Sequence, residues 1–359
     1  MKATTKSGIT LEINTGIDDL QMREYDQFLL ANPKSMVYGT RKYIRFLRDV
    51  TGGTPLFIFA REGERLIGTL PALIFSSITG TCMNALPWYG SNPGITTAAA
   101  DVDDAEIRTT LLKAFCRLAE SQDMISATAI SNPTEPQEPY ESVFGPCPWG
   151  KRVGMISTLT PGGTIEHILK AVHQKTRNQI NKALSGPLRV RSGERYMADI
   201  LDLHHRNMKA IGAAPKTAHA FKMIAEHFNY GPDYTASVAI NTTGAVTAGL
   251  VTLYANQTAE YFIPGLDPDY RDFCPMHLLI TQAMLEAMIR GMNYWNWGGT
   301  VETTQGGVYH FKERWNPEKM PYGYYAKVTN LKAYGAVKNM KPETVKDEFN
   351  GFFVAPFSR

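Results

Sequence analysis

At 359 residues the chain exceeds the length at which a single hydrophobic core keeps growing, so two domains of ordinary size are expected. Its hydrophobic fraction of 43% and charged fraction of 20% are those of a soluble globular protein, and no apolar run approaches the roughly 18 residues that a membrane span requires. The formal net charge of +3 joins unlike halves: residues 1–150 carry 13 Lys+Arg against 17 Asp+Glu, and residues 151–359 carry 24 against 17, which places attraction for an anionic ligand in the second half.

The N-terminal residues lead into no signal-peptide core, so a cytoplasmic protein is expected. Cys82, Cys116, Cys147 and Cys274 are too few for a disulfide framework and lack metal-like spacing. Apolar spacing predicts helices over 17–31 and 40–50, the second stopping before Gly52 and Gly53. Two apolar runs at 55–61 and 65–75, joined by Glu62-Gly63-Glu64, predict a hairpin, and a third strand follows at 82–86. The stretch 87–94 reads as a Gly-, Pro- and aromatic-rich loop. A helix with acidic residues in its first turn covers 104–121, a short strand covers 125–130, and the Pro- and Glu-rich stretch 131–148 connects the halves.

The second half repeats this order. Helical spacing covers 164–184, 196–211 and 218–228, with a short strand at 188–191. Strands at 234–240, 245–254 and 259–264 form a second meander. Pro275 opens a helix that Gly291 ends. The strand after it, Asn293-Tyr294-Trp295-Asn296-Trp297, stops at Gly298-Gly299, and Gly306-Gly307 then precede Phe311-Lys312-Glu313-Arg314-Trp315. A strand that ends on paired glycines lets backbone approach a ligand closely, with Lys312 and Arg314 supplying charge at the same rim. Two copies of one α+β unit is the economical reading, with units at 1–150 and 151–335 and a tail at 336–359.

That order of elements resembles the GNAT acyltransferase fold, and several words resemble FemAB-like proteins. Arg177-Asn178-Gln179-Ile180-Asn181-Lys182-Ala183 is similar to their basic Arg-x-x-Ile-x-Lys-Ala helix segment. Trp295-Asn296-Trp297-Gly298-Gly299 stands in place of their Asp-Phe-Gly-Gly strand end, and Phe311-Lys312-Glu313-Arg314-Trp315 is similar to their Phe-Lys-x-x-Trp/Phe word. In the first half, Leu86-Pro87-Trp88-Tyr89-Gly90 and the segment 37–43 resemble their counterparts. The chain departs from the pattern at Asn296, where the family usually has Asp. It also lacks the heptad-patterned insertion of the peptidoglycan-bridge members.

The resemblance implies two tandem GNAT-like domains, each a mixed, mostly antiparallel sheet flanked by helices, that transfer an acyl or aminoacyl group to an amine without a covalent nucleophile. Such a site aligns the amine, stabilises an oxyanion and accepts a proton. Lys312 is the leading candidate, as a cation near the donor's phosphates or the oxyanion, with Arg314 in the same roles. His310 has the pKa range of a general base. Asn296 would hold a substrate amide, orient a water or simply cap the strand, and Tyr261 is a candidate proton donor to the leaving group. Trp295, Trp297, Phe311, Gly298, Gly299 and Tyr89 are donor- or substrate-binding candidates, and Arg177 and Lys182 are candidates for phosphate at a helix rim.

Adjacent residues on a helix point about 100° apart, so His204 and His205 cannot chelate one ion, and no metal is expected. No tightly bound cofactor is expected. No Gln/Arg-x-x-Gly-x-Gly/Ala pyrophosphate loop precedes either crossover helix; the second copy has the acidic 265–272 instead. Residues 310–346 carry eight Lys+Arg against three Glu, interleaved with Tyr322, Tyr324, Tyr325 and Tyr334, which suits a nucleic-acid phosphate track or a basic tail packed along the domain. The leading expectation is therefore an aminoacyl-tRNA donor and a small-molecule or peptide amine acceptor. The alternatives are an acyl-CoA donor that acylates an amino sugar, peptide or small amine, and a non-catalytic ligand-binding module.

Overall fold

The computed structural model describes residues 2–4, 8–16, 19–86, 93–98, 104–146, 148–210, 212–302, 307–341 and 344. Tyr89 and Cys147 lie outside them. Contacts divide the chain into two compact units, Met1–Arg152 together with Pro321–Arg359, and Val153–Met320. Residues 321–335, assigned from sequence to the second half, thus group with the first unit.

In the first unit, β1 (Lys2–Thr4), β2 (Ile9–Asn14), α1 (Asp19–Leu30) and α2 (Arg41–Thr51) precede a meander of β3 (Thr54–Glu62), β4 (Arg65–Ser77) and β5 (Gly80–Ala85). Thr40 caps α2 by accepting the Tyr43 N–H, and Gly52 ends it in the left-handed region at φ 74°. The short β6 (Thr96–Thr97) pairs with β4, and α3 (Asp104–Ser121) then crosses over to β7 (Ser126–Ile130). β7 pairs with β5 in parallel from Cys82↔Ser126 to Ala85↔Ala129. The face of α3 carrying Ile107, Leu111, Leu112, Phe115 and Leu118 seals the core against Leu56, Ile58, Leu70 and Met83. The connection 131–148 contains one further helix, α4 (Glu138–Phe144).

The second unit is entered along β8 (Gly150–Thr158). The single helix expected over 164–184 is two, α5 (Ile165–Ala171) and α6 (Gln174–Ser185), because the chain turns extended at Val172 and His173. Next come β9 (Arg189–Ser192), α7 (Met197–Ala210) and α8 (Ala218–His227). The second meander is β10 (Tyr234–Ile240), β11 (Val246–Ala255) and β12 (Thr258–Leu266), followed by α9 (Pro275–Ile289), β13 (Tyr294–Thr300) and α10 (Gly307–Glu313). The strand order is β8-β13-β12-β11-β10-β9, antiparallel except for the parallel pair of β12 and β13. α7 lies directly on Gly249 and Gly265, where an added Cβ would meet Ile200 at 2.6 Å and Leu203 at 2.7 Å. α9 covers the other face with Leu279, Ile280, Ala283 and Ala287.

The last strand, β14 (Glu318–Val328), carries the chain back to the first unit, where Tyr324–Val328 pairs antiparallel with β7, and α11 (Leu331–Lys338) follows. Each unit therefore has a meander, a crossover helix and a parallel strand, the α+β duplication that the sequence predicts. Among the described residues no helix is long and apolar enough to cross a membrane.

Candidate functional site

The site begins where a ladder ends. β12 and β13 pair only through Thr258↔Tyr294, Ala259↔Trp295 and Glu260↔Asn296. Beyond that point β12 stays with β11, and β13 stays with β8 through Gly299↔Gly154. The sheet therefore splits after Glu260 and Asn296.

A bulge in β12 lies just past the split. Val251 pairs with Ile263 and Thr252 with Tyr261, which leaves Phe262 as the extra residue. Tyr261 follows Ala259 by two residues and so lies by regular alternation on the face covered by α9, and the bulge reverses the alternation only beyond it. Tyr261 meets Trp297 across the split with ring centroids 5.5 Å apart, and Trp295 at 6.5 Å. Burial pushes the Tyr261 phenol well above its ordinary pKa, so it is a proton donor at neutral pH.

The aromatic contacts continue behind the split. Trp297 lies 5.2 Å from Trp315, Trp315 stacks on His277 at 5.7 Å, and Phe311 sets its edge to His277 at 5.5 Å. Burial, then the charge of Arg314, holds the His277 imidazole down to about 4, so it is neutral at physiological pH. Trp297 donates its indole N–H to Ser157 Oγ at 2.9 Å. The indole N–H groups of Trp295 and Trp315 are buried without an acceptor, an arrangement that costs about 1–3 kcal/mol each in a closed core.

Asn296 and Glu260 occupy the opposite face at the apex of the split, and both are buried. Asn296 Oδ1 accepts the Gly298 N–H at 2.9 Å, and Gly298 has a φ of 71°, so this side chain shapes the turn that ends the ladder. Gly299 resumes pairing against Gly154.

Lys312 is only 7% exposed, on the helix α10 that packs on β13. His310, by contrast, lies at the surface, where its Nδ1 is 3.2 Å from Glu313 and Glu313 also holds Lys319 at 2.5 Å. The Arg314 side chain is exposed, while its carbonyl accepts from the His173 N–H and the Thr176 hydroxyl and ties α10 to the start of α6. Arg177 is engaged within its own helical pair: Nε donates to the Leu169 carbonyl at 2.7 Å and Nη2 to that of Val172 at 3.4 Å, which satisfies the end of α5. Lys182 is exposed on α6. The structure thus brings Tyr261, Trp295, Trp297, Asn296, Gly298 and Gly299 to the split, with Phe311 behind it in the aromatic chain, and leaves His310, Arg177 and Lys182 away from it. Tyr89 lies outside the described residues.

Several described residues of the basic stretch 310–346 are engaged within the fold. Tyr322 and Tyr325 are core residues, Lys327 pairs with Glu120, Lys319 pairs with Glu313, and Lys312 is buried. Sequence reasoning missed Glu260, His277 and Ser157, whose proximity to the split depends on strand register and on the N-terminal turn of α9. Trp315 was read only as the end of a motif. Among the described residues no group of three or more His, Cys, Asp or Glu could hold a metal ion.

Residues 235–338 match the model of the FemAB family, a span that contains both strands of the split and α10. The chain is 27% identical over 122 residues to a lipid II:glycine glycyltransferase of Staphylococcus haemolyticus, a match that covers 32% of this chain and 29% of that relative's length. Among solved structures, that of FemX superposes with a TM-score of 0.70 at 13% identity, covering 90% of this chain and 99% of the other. A tandem GNAT protein from the clavulanic acid biosynthesis pathway superposes with a TM-score of 0.54 at 13% identity, covering 89% and 98%. These likenesses show a tandem GNAT fold.

Proposed function

We propose that the chain, which has a tandem GNAT fold and resembles the FemAB family over residues 235–338, is an acyltransferase that forms an amide by moving an aminoacyl group from aminoacyl-tRNA to an amine. The observation that carries this reading is the split between β12 and β13, walled by Tyr261 and Trp297 inside the segment that matches the family. An aminoacyl ester is already activated, so alignment and charge stabilisation are the main tasks.

The neutral amine adds to the ester carbonyl, forming the C–N bond and placing a pair of electrons on the carbonyl oxygen. The buried Lys312 is the cation assigned to that oxygen. Collapse breaks the C–O bond to the ribose, and the Tyr261 phenol supplies the proton that the leaving hydroxyl needs, while the attacking nitrogen loses one proton. Return of a proton to Tyr261 completes the balance. The name of the staphylococcal relative makes lipid II the first acceptor to test.

The test is incubation with labelled aminoacyl-tRNA pools, or with labelled acyl-CoA, together with peptide amines, with and without RNase. RNase-sensitive amide product is expected. RNase-insensitive product that requires the thioester would replace this donor with acyl-CoA, and binding without turnover across both pools would leave only a ligand-binding module.

A further inference from the structure

The second unit's cations are unevenly placed. Residues 173–195 contain Lys175, Arg177, Lys182, Arg189, Arg191 and Arg195 against the single acid Glu194, whereas residues 196–302 contain six Lys+Arg against ten Asp+Glu. The basic stretch forms α6 and β9, and β9 is the outermost strand of its unit, with β10 on one side and, among the described residues, no strand on the other.

Lys175 and Lys182 are seven residues apart and share a face of α6, opposite the buried Thr176, Ile180 and Ala183 side. On β9, Val190 packs into the core, so Arg189 and Arg191 point the other way. Lys175, Lys182, Arg189, Arg191 and Arg195 are all exposed, and none has a carboxylate partner among the described residues. Elsewhere in the unit Arg206 pairs with Asp202 and Asp267, and Arg290 with Glu286. The only acid in the stretch accepts a hydrogen bond from the Tyr234 hydroxyl at 2.7 Å.

This edge is also connected to the split. Ala183 and Leu188 share a small core with Cys274 and Leu278 at the start of α9, and three residues after Cys274 stands His277, stacked on Trp315.

We propose that the outer β9 edge and the outer face of α6 are the docking track for the phosphate backbone of the donor RNA. This rests on the aminoacyl-tRNA reading given above. Arg189 donates to the Gly186 and Leu188 carbonyls, Arg191 to that of Val190 and Arg195 to the Tyr196 hydroxyl, contacts that leave their charges unneutralised. Exposed cations without a carboxylate partner on an edge strand suit a backbone that is read by charge and not by sequence, and their binding scales with the counterions released.

The experiment compares the wild-type protein with the Lys175→Gln/Arg189→Gln/Arg191→Gln variant and with Arg189→Lys/Arg191→Lys, which keeps the charge. Fluorescence anisotropy with labelled tRNA is measured over a salt series, alongside sedimentation with phosphatidylglycerol vesicles, and thermal melting confirms folding. The neutral variant is expected to lose about 10-fold or more in tRNA affinity and to flatten the log–log salt slope by about 2, while the lysine variant retains both. Wild-type affinity and slope in the neutral variant would overturn the track and leave the donor reading standing. Absence of tRNA binding by the wild-type protein would sink both. Loss of vesicle binding with unchanged tRNA binding would make the edge a membrane face and refute the proposal.

Discussion

Glu260 and Asn296 are the last residues to face each other before β12 and β13 part, and both are buried at that apex. Everything assigned to chemistry in the second unit follows from that termination. One position further along, Tyr261 and Trp297 point to the α9 face, by regular alternation from the paired Ala259 and Trp295.

Removing the phenol and keeping the ring isolates the proton donor. Tyr261→Phe should lower kcat by roughly 10²- to 10⁴-fold with little change in KM or melting temperature. Steady-state transfer kinetics and a thermal melt check this, and an unchanged kcat would remove Tyr261 from the reaction.

Lys312 is tested by shape-conserving loss of charge. Lys312→Met retains the apolar stem that α10 buries and should reduce turnover by about 100-fold or more if the ammonium meets developing charge. Single-turnover rates at saturating donor separate this from weaker donor binding; wild-type turnover would show that the cation has only a packing role.

Arg177 belongs to the family-like helix word, yet its guanidinium is spent on the Leu169 and Val172 carbonyls. Arg177→Met should therefore cost about 1–2 kcal/mol of stability and leave the donor KM unchanged. Denaturant unfolding together with donor titration decides between this role and phosphate binding, which would raise KM.

His277 carries a pH dependence. Its folded pKa of about 4 lies below the ordinary 6.5, so between those values the unfolded chain takes up a proton that the folded chain refuses. Its contribution to stability is thus fully present above about pH 6.5 and falls as pH drops toward 4, by on the order of 1–3 kcal/mol. His277→Phe, which keeps an aromatic ring beside Trp315, should shrink the difference in melting temperature between pH 7.5 and pH 5. An unaltered difference would show that other groups set the acid sensitivity.

Local chemistry made much of this architecture legible. Pro275 and Gly291 bracket α9 as expected, with Gly291 at a φ of 79°, and the alternation of Trp295, Asn296 and Trp297 correctly separates the two faces of β13. What sequence concealed is non-local. β14 looks like part of a basic tail until Tyr324–Val328 finds β7, far earlier in sequence, and two of the four tyrosines that suggested stacking on bases, Tyr322 and Tyr325, become core. The 307–313 stretch carries no expected helix, yet it forms α10, whose buried Tyr309 and Lys312 are three apart, one turn of helix. Lys175 and Lys182 are visible in the sequence, but their exposure beside an edge strand follows only from the strand order.

The most direct measurement is a crystal structure with an amide-linked, non-hydrolysable aminoacyl-adenosine. The account predicts the acyl group between β12 and β13, with the aminoacyl carbonyl or ribose oxygen within hydrogen-bond distance of the Tyr261 hydroxyl. An aminoacyl group bound elsewhere, with the split closed by its own aromatic side chains, would contradict it.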